Sequence, residues 1–320
     1  MNSNRRHDGH RSHFLNRDLL TVRTPTLEIA YRASGPSDGI PVILMHGFPD
    51  DPGAYDGTLD GLGALGCRVL APWLRGYGPT RFLNAATPRS GQQAALGADL
   101  LAFMDALDLE RAVLVGYDWG GRAACIVAAL WPERCRGLVT VGAYNIQDIA
   151  NANRPAPVSE EYRYWYQWYF NTERGRSGLE QNRRDICRFL WQLWSPTWRF
   201  DDETFDRTAA TFDNPDFVDV VIHSYRHRYG AAPGDPALEW IERRLAEQPP
   251  ITVPTVVLHG GADAVTPPTA EAADAVRFVG PFERHVVPNA GHLLPREAPD
   301  SIVAGVKALI GQEGETSESV

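Results

Sequence analysis

An aspartate stands at the centre of Gly116-Tyr117-Asp118-Trp119-Gly120, after the apolar run AVLV and before the alanine-rich GRAACIVAAL. Glycines at the first and last positions let a strand turn sharply into a helix and lift the central side chain into reach. A carboxylate in that place can attack a saturated carbon and form an alkyl ester. Water can then cleave that ester at its carbonyl, whereas a serine would leave an ether. The residue type therefore points to displacement at saturated carbon rather than to ordinary ester hydrolysis. The plain structural alternative makes Asp118 a helix N-cap with glycines placed for packing.

Three further segments weigh against that alternative. His46-Gly47-Phe48-Pro49 follows the apolar run PVILM, and turns at strand carboxyl ends are where open α/β sheets build sites. The backbone N–H groups of Phe48 and Trp119 are candidates for an oxyanion hole. His46, Pro49 and the Trp119 side chain are candidates for substrate contact, His46 being also suited to bonding its own loop. Asp263, in His259-Gly260-Gly261-Ala262-Asp263, and His292, in Asn289-Ala290-Gly291-His292, each follow a further apolar run. A loop Asp alone is usually a turn former, and a loop His surface polarity. In the order nucleophile, acid, histidine they supply a base, His292, and the acid that orients it, Asp263.

The elements that must position these groups are legible as alternating patterns. Apolar runs at 19–23, 27–31, 41–45, 68–71, 112–117, 138–141, 255–258 and 285–287 read as strands, the continuous ones buried on both faces. Helical stretches are expected at 90–108, 119–131, 268–278 and 299–311. Repeating strand–helix units predict an α/β fold with a mostly parallel central sheet flanked by helices. The alternation stops between Asn145 and about Pro236. That block holds 17 of the 32 aromatic residues, so it reads as a helical insertion lying over the sheet.

Composition narrows the classes. The 320 residues carry 40 Asp and Glu against 31 Lys and Arg, a net charge of −9, which disfavours a nucleic-acid partner. No apolar run reaches the ~18 residues a membrane helix needs. The four cysteines, Cys67, Cys125, Cys135 and Cys187, are widely spaced and read as free thiols in a reducing, cytoplasmic setting. Residues 1–16 and 314–320 read as tails. A homodimer is one expected assembly.

With HGFP, RGYG (75–78), GYDWGG, HGGAD and AGH in place, the chain resembles the α/β-hydrolase superfamily over roughly residues 18–313. Within it, the chain is most similar to the branch with an Asp nucleophile, the epoxide hydrolases and haloalkane or haloacid dehalogenases. The resemblance implies core parts at 17–144 and 237–313, a helical cap at 145–236 after the sixth strand, an active site between them, and no cofactor. Epoxide opening leaves an alkoxide, and two cap tyrosines protonate it in epoxide hydrolases. YQWYF (166–170) selects Tyr166 and SYRH (224–227) selects Tyr225. The expectation is thus a hydrolase of ether bonds that turns a small apolar epoxide into a vicinal diol. Arg122 matches one of two arginines that hold the carboxylate in fluoroacetate dehalogenases. Its companion position is Trp119 here, a departure, so Arg122 reads first as an ion pair or cap contact. The alternatives are a dehalogenase with the same triad and a non-catalytic ligand-binding protein on this fold.

Overall fold

The computed structural model describes residues 19–317; the tail expected over 1–16 lies outside them. Nine strands form one sheet: β1 (Leu20–Arg23), β2 (Leu27–Ser34), β3 (Ile40–Met45), β4 (Cys67–Pro72), β5 (Arg81–Phe82), β6 (Ala112–Tyr117), β7 (Cys135–Val141), β8 (Thr255–Gly260) and β9 (Phe282–Val287). Their order is β1-β2-β4-β3-β6-β7-β8-β9, with β5 pairing β2 outside that path. β1, β2 and β4 pair antiparallel, and every pair from β4 to β9 is parallel. The apolar runs of β6 and β8 are buried at all six positions, as expected for central parallel strands covered on both faces. The edge strand β9 is instead only partly buried. The two-residue β5 was not anticipated, so the block expected after the sixth strand follows the seventh.

That block is helical, with segments including Trp165–Phe170, Glu173–Trp194, Asp202–Ala209 and Phe217–Arg228. Many of its rings pack inward: Trp191 is fully buried against Trp198, Phe200 and Phe205. Polar anchors then fix it to the loops at the carboxyl ends of the strands. Trp191 Nε1 donates to the Pro49 carbonyl at 2.8 Å, Thr208 Oγ1 to Asp51 Oδ1 at 3.0 Å, and Asn214 Nδ2 to the Thr80 carbonyl at 2.8 Å. The following helix, Glu239–Ala246, packs on the start of the helix Gln93–Ala106, where Glu242 accepts from the Ala94 N–H and both Gln92 and Gln93. The final helix, Pro299–Ser317, carries the chain past Gly314, where a tail was expected. All four cysteines are buried free thiols, and among the described residues no helix is long and apolar enough to cross a membrane.

Candidate active site

The turn from β6 into the helix Asp118–Leu130 is closed by its glycines. A Cβ on Gly120 would lie 2.0 Å from the Met45 carbonyl oxygen, and one on Gly116 would lie 2.4 Å from that of Gly120. Between them Asp118 takes a left-handed conformation, φ 50°. Such a conformation is sparsely populated outside glycine and asparagine, and it concentrates at functional turns. The Asp118 side chain does not cap its helix. It turns instead to β3: the Phe48 N–H donates to its Oδ1 at 2.8 Å. Its Oδ2 faces His292 Nε2 at 3.8 Å.

His292 and Asp263 come together from loops 29 residues apart, with Nδ1 to Oδ2 at 2.9 Å. Asp263 is itself held rigidly. Its Oδ1 accepts from the Val265 and Thr266 N–H groups at 2.9 and 2.8 Å, and its Oδ2 from Thr266 Oγ1 at 2.7 Å. One carbonyl of the helical block joins the two loops. Trp194 O accepts from the N–H of Ala264 and from that of His292, each at 3.2 Å. Ser195 and Glu297 complete the clamp, Ser195 Oγ donating to Glu297 Oε1 at 2.6 Å while Glu297 Oε2 accepts from the Gly291 N–H at 2.8 Å.

Charge follows from this geometry. Burial opposes the ionised form of Asp118, but His292, Arg122 and the Phe48 N–H outweigh it and hold the carboxyl below its ordinary range. Burial likewise lowers His292, and the two flanking carboxylates, Asp263 first, reverse this and raise it to about 10. A histidine raised in the folded state stabilises the fold fully below its ordinary pKa of 6.5 and loses that contribution as pH climbs towards 10. In Asp118→Asn one attraction is gone, so the His292 midpoint should fall. NMR titration of the imidazole checks this; a wild-type midpoint near 6.5 would contradict the pairing.

A cavity of about 370 Å³ opens beside Asp118 and His292, lined also by Asp263, Tyr166, Arg122 and Arg228. Tyr166 meets Tyr225 edge to face at 5.5 Å; Tyr225 is not among the lining residues and packs also on Phe48 at 5.7 Å and Trp119 at 6.1 Å. Burial, together with the Asp118 charge, raises both phenols. Gln167 Nε2 donates to Tyr166 Oη at 2.9 Å. The amide orientation is fixed from behind, because Arg228 and Tyr229 both donate to its Oε1, at 2.8 and 2.7 Å. With Tyr166 Oη already accepting, its own proton is left for another acceptor.

His46, Pro49 and the Trp119 side chain, expected against substrate, lie behind the cavity wall instead. His46 is fully buried, its Nε2 accepting from the Leu74 N–H at 3.0 Å and its Nδ1 beside the Gly47 carbonyl at 2.9 Å. Pro49 offers its carbonyl to Trp191. The Trp119 ring is enclosed by Phe48, Tyr77 and Tyr225, its Nε1 lacking a partner. An ion pair for Arg122 is also not found among the described residues; its hydrogen bond is to the Asn145 carbonyl at 3.3 Å. Sequence reasoning missed the network beneath the site. Arg296 binds Asp50 through Nε at 3.0 Å and Asp51 through Nη2 at 3.0 Å, while Tyr117 Oη donates to Asp50. An Asp following directly on HGFP and an Arg four residues after His292 were the available signal.

Residues 40–299 match the family described as alpha/beta hydrolase fold. A Klebsiella pneumoniae protein of known crystal structure, described as a "putative epoxide hydrolase", is 44% identical, with a TM-score of 0.89 over 91% of this chain and 96% of that one. "Epoxide hydrolase B" of Mycobacterium tuberculosis is 24% identical over 84% of this chain and 91% of its own length. "Bifunctional epoxide hydrolase 2" of Sus scrofa is 30% identical over 56% of this chain but only 30% of its own length. The chain thus spans less than a third of the pig protein and 43% of the "Epoxide hydrolase 3" of Siraitia grosvenorii. Elbow, sheet order and matched span agree: the chain belongs to the α/β-hydrolase fold family.

Proposed function

We propose that this protein is an epoxide hydrolase, opening a small epoxide with water to a vicinal diol through an ester on Asp118. The observation that carries the reading is an aspartate at the elbow with two buried tyrosines, Tyr166 and Tyr225, packed against each other beside it. Names given to relatives by sequence and structure point the same way. The helical block acts as the cap that brings the tyrosines over the core.

Asp118 Oδ2 attacks a ring carbon and the C–O bond breaks. The leaving oxygen takes a proton from Tyr166 or Tyr225, the Gln167 contact directing the Tyr166 proton towards it. Alkylation removes the Asp118 charge, one of the two that raise His292, so the base becomes more readily deprotonated when the ester exists. His292, still held by Asp263, takes a proton from water, which adds to the Asp118 carbonyl carbon. Oδ1 carries the resulting negative charge, met by the Phe48 N–H and, in this reading, by that of Trp119. Collapse breaks the Cγ–Oδ2 bond and the departing oxygen takes the proton left on the added water oxygen, so the diol leaves and the carboxylate returns, while the proton on His292 goes back to the tyrosinate.

Proton donors of this kind are worth about 10²–10⁴ in rate. Tyr166→Phe and Tyr225→Phe should each slow ester formation, and the double variant should lose the greater part of that factor. Stopped-flow single turnovers on styrene oxide measure it, and an unchanged double variant would refute the role. The ester-hydrolysis step should weaken on the acid side as His292 takes up its proton; a profile flat from pH 5 to 8 would exclude that base. A second reading, organohalide hydrolysis, uses the same Asp118, His292 and Asp263. Halide release without diol formation from any epoxide would select it.

A further inference from the structure

We infer that Arg228 assists ring opening: it aims the Tyr166 proton and faces the phenolate left behind, a positioning role that rests on the epoxide-hydrolase reading. Arg228 stands at the end of the helix Phe217–Arg228 and lines the cavity. Its Nη1 donates to Gln167 Oε1 at 2.8 Å, and Gln167 Nε2 donates to Tyr166 Oη at 2.9 Å. Its guanidinium also lies 4.9 Å from the Tyr225 ring centre, within the reach of a cation over an aromatic face. One side chain thus governs the surroundings of both phenols.

The contact with Gln167 decides where the Tyr166 proton points. Tyr229 Oη also meets Gln167 Oε1, at 2.7 Å, but a hydroxyl can donate or accept and would tolerate either end of the amide. A guanidinium only donates, so Arg228 is the group that turns the amide N–H towards Tyr166. Its charge is not engaged elsewhere. Arg176, Arg184, Arg188 and Arg226 of the same block pair at the surface with Asp219, Asp206, Asp202 and Glu173. Among the described residues Arg228 has no carboxylate within ion-pair distance, and its buried Nε has no partner.

The reaction moves negative charge from the core to the cap. In the resting site it lies on Asp118, where His292, Arg122 and the Phe48 N–H meet it. On ring opening Asp118 bonds to carbon and becomes a neutral ester. The C–O bond breaks, the leaving oxygen takes the tyrosine proton, and the electron pair of that O–H bond stays on the phenolate. The phenolate persists until the proton on His292 returns, and so for as long as the ester does. Burial raises both phenols and opposes this state, whereas the Arg228 charge acts on each in the opposite direction. A fixed cation aimed at a site of developing charge is most effective where water is excluded. The role asks for no charge on the substrate: around the cavity Asp118, Asp148, Glu161 and Asp263 stand against Arg122, Arg154, Arg228 and His292.

The test times ester formation from styrene oxide in the His292→Gln background, where the adduct accumulates and intact mass reports it. Arg228→Met should slow that step about tenfold to a hundredfold, the range for an interaction with a charged group, and Arg228→Lys should recover the larger share. Should the methionine variant unfold by circular dichroism, Arg228→Gln takes its place. The readout that separates this role from mere packing is a double-mutant cycle with Tyr166→Phe and Tyr225→Phe. With both hydroxyls gone there is no phenolate to meet, so removing Arg228 should cost little more. The same loss in the tyrosine-free protein overturns the inference while leaving the epoxide reading intact. So does an unchanged rate in Arg228→Met, or a lysine variant no faster than the methionine one. No epoxide adduct even with Arg228 in place would sink the epoxide reading and the inference with it.

Discussion

Asp118→Asn should abolish turnover of every epoxide substrate, a fall on the order of 10⁴ or more, the scale seen when a nucleophile is removed. Asparagine is the informative replacement because it tolerates the left-handed conformation held here at φ 50°. It also keeps an oxygen for the Phe48 N–H, so the turn and its loop contact survive while the attacking charge is lost. Asp118→Ala removes both and leaves the Phe48 donor, 2.8 Å from Oδ1 in the native protein, without its acceptor. If Asp118 is only a packing residue, the asparagine variant will retain most of its activity. Steady-state diol formation separates the two outcomes, with circular dichroism confirming the fold.

The second large effect is on stability. Arg296 is nearly enclosed, and it neutralises Asp50, which is fully buried and also accepts from Tyr117. Arg296→Met leaves the Asp50 charge buried without its partner, a loss of about 3–5 kcal/mol in comparable pairs. For a chain of this size that corresponds to a fall in Tm of roughly 4–7 °C. Asp50 neighbours the Phe48 turn, Tyr117 precedes the nucleophile, and Arg296 follows His292. The same change should therefore lower kcat as the three loops lose register. Adding Asp50→Asn removes the orphaned charge and should restore much of the lost stability. Thermal unfolding of the two single variants and the double variant measures the coupling. A Tm within about 2 °C of native for Arg296→Met would show that the network contributes little.

The contrast between these two sites explains what was legible beforehand. The turn at Asp118 announces itself locally, because glycines, a buried strand and a helix must be adjacent in sequence to form it. Asp263 and His292 follow their own strands, and parallel strands deliver their ends to one edge of the sheet. The short pairing of Arg81–Phe82 with β2 had no such pattern, since two residues show no periodicity. The Asp50–Arg296 contact spans 246 residues, so each partner shows only its place beside a site motif and nothing in the sequence pairs them. The Trp194 carbonyl that joins the acid and histidine loops is a backbone group, invisible in any side-chain pattern. His46 and Trp119 sit at strand ends like true site residues, and only packing reveals that their rings turn away from the cavity. Among the arginines of the helical block, sequence gave no means to separate Arg228, which enters the cavity, from those paired outside.

The proposed reaction bonds a ring carbon of an epoxide to Asp118. His292→Gln should allow that step and stall the next, because the ester forms without the base that activates water. The variant would be incubated with styrene oxide, a short epoxy acid, an alkyl bromide and a haloacetate, and its intact mass recorded. The predicted result is a gain equal to one whole epoxide, mapped to the peptide holding Asp118 and absent when Asp118→Asn is added. A gain equal to an organohalide less hydrogen halide, with none from either epoxide, would contradict it.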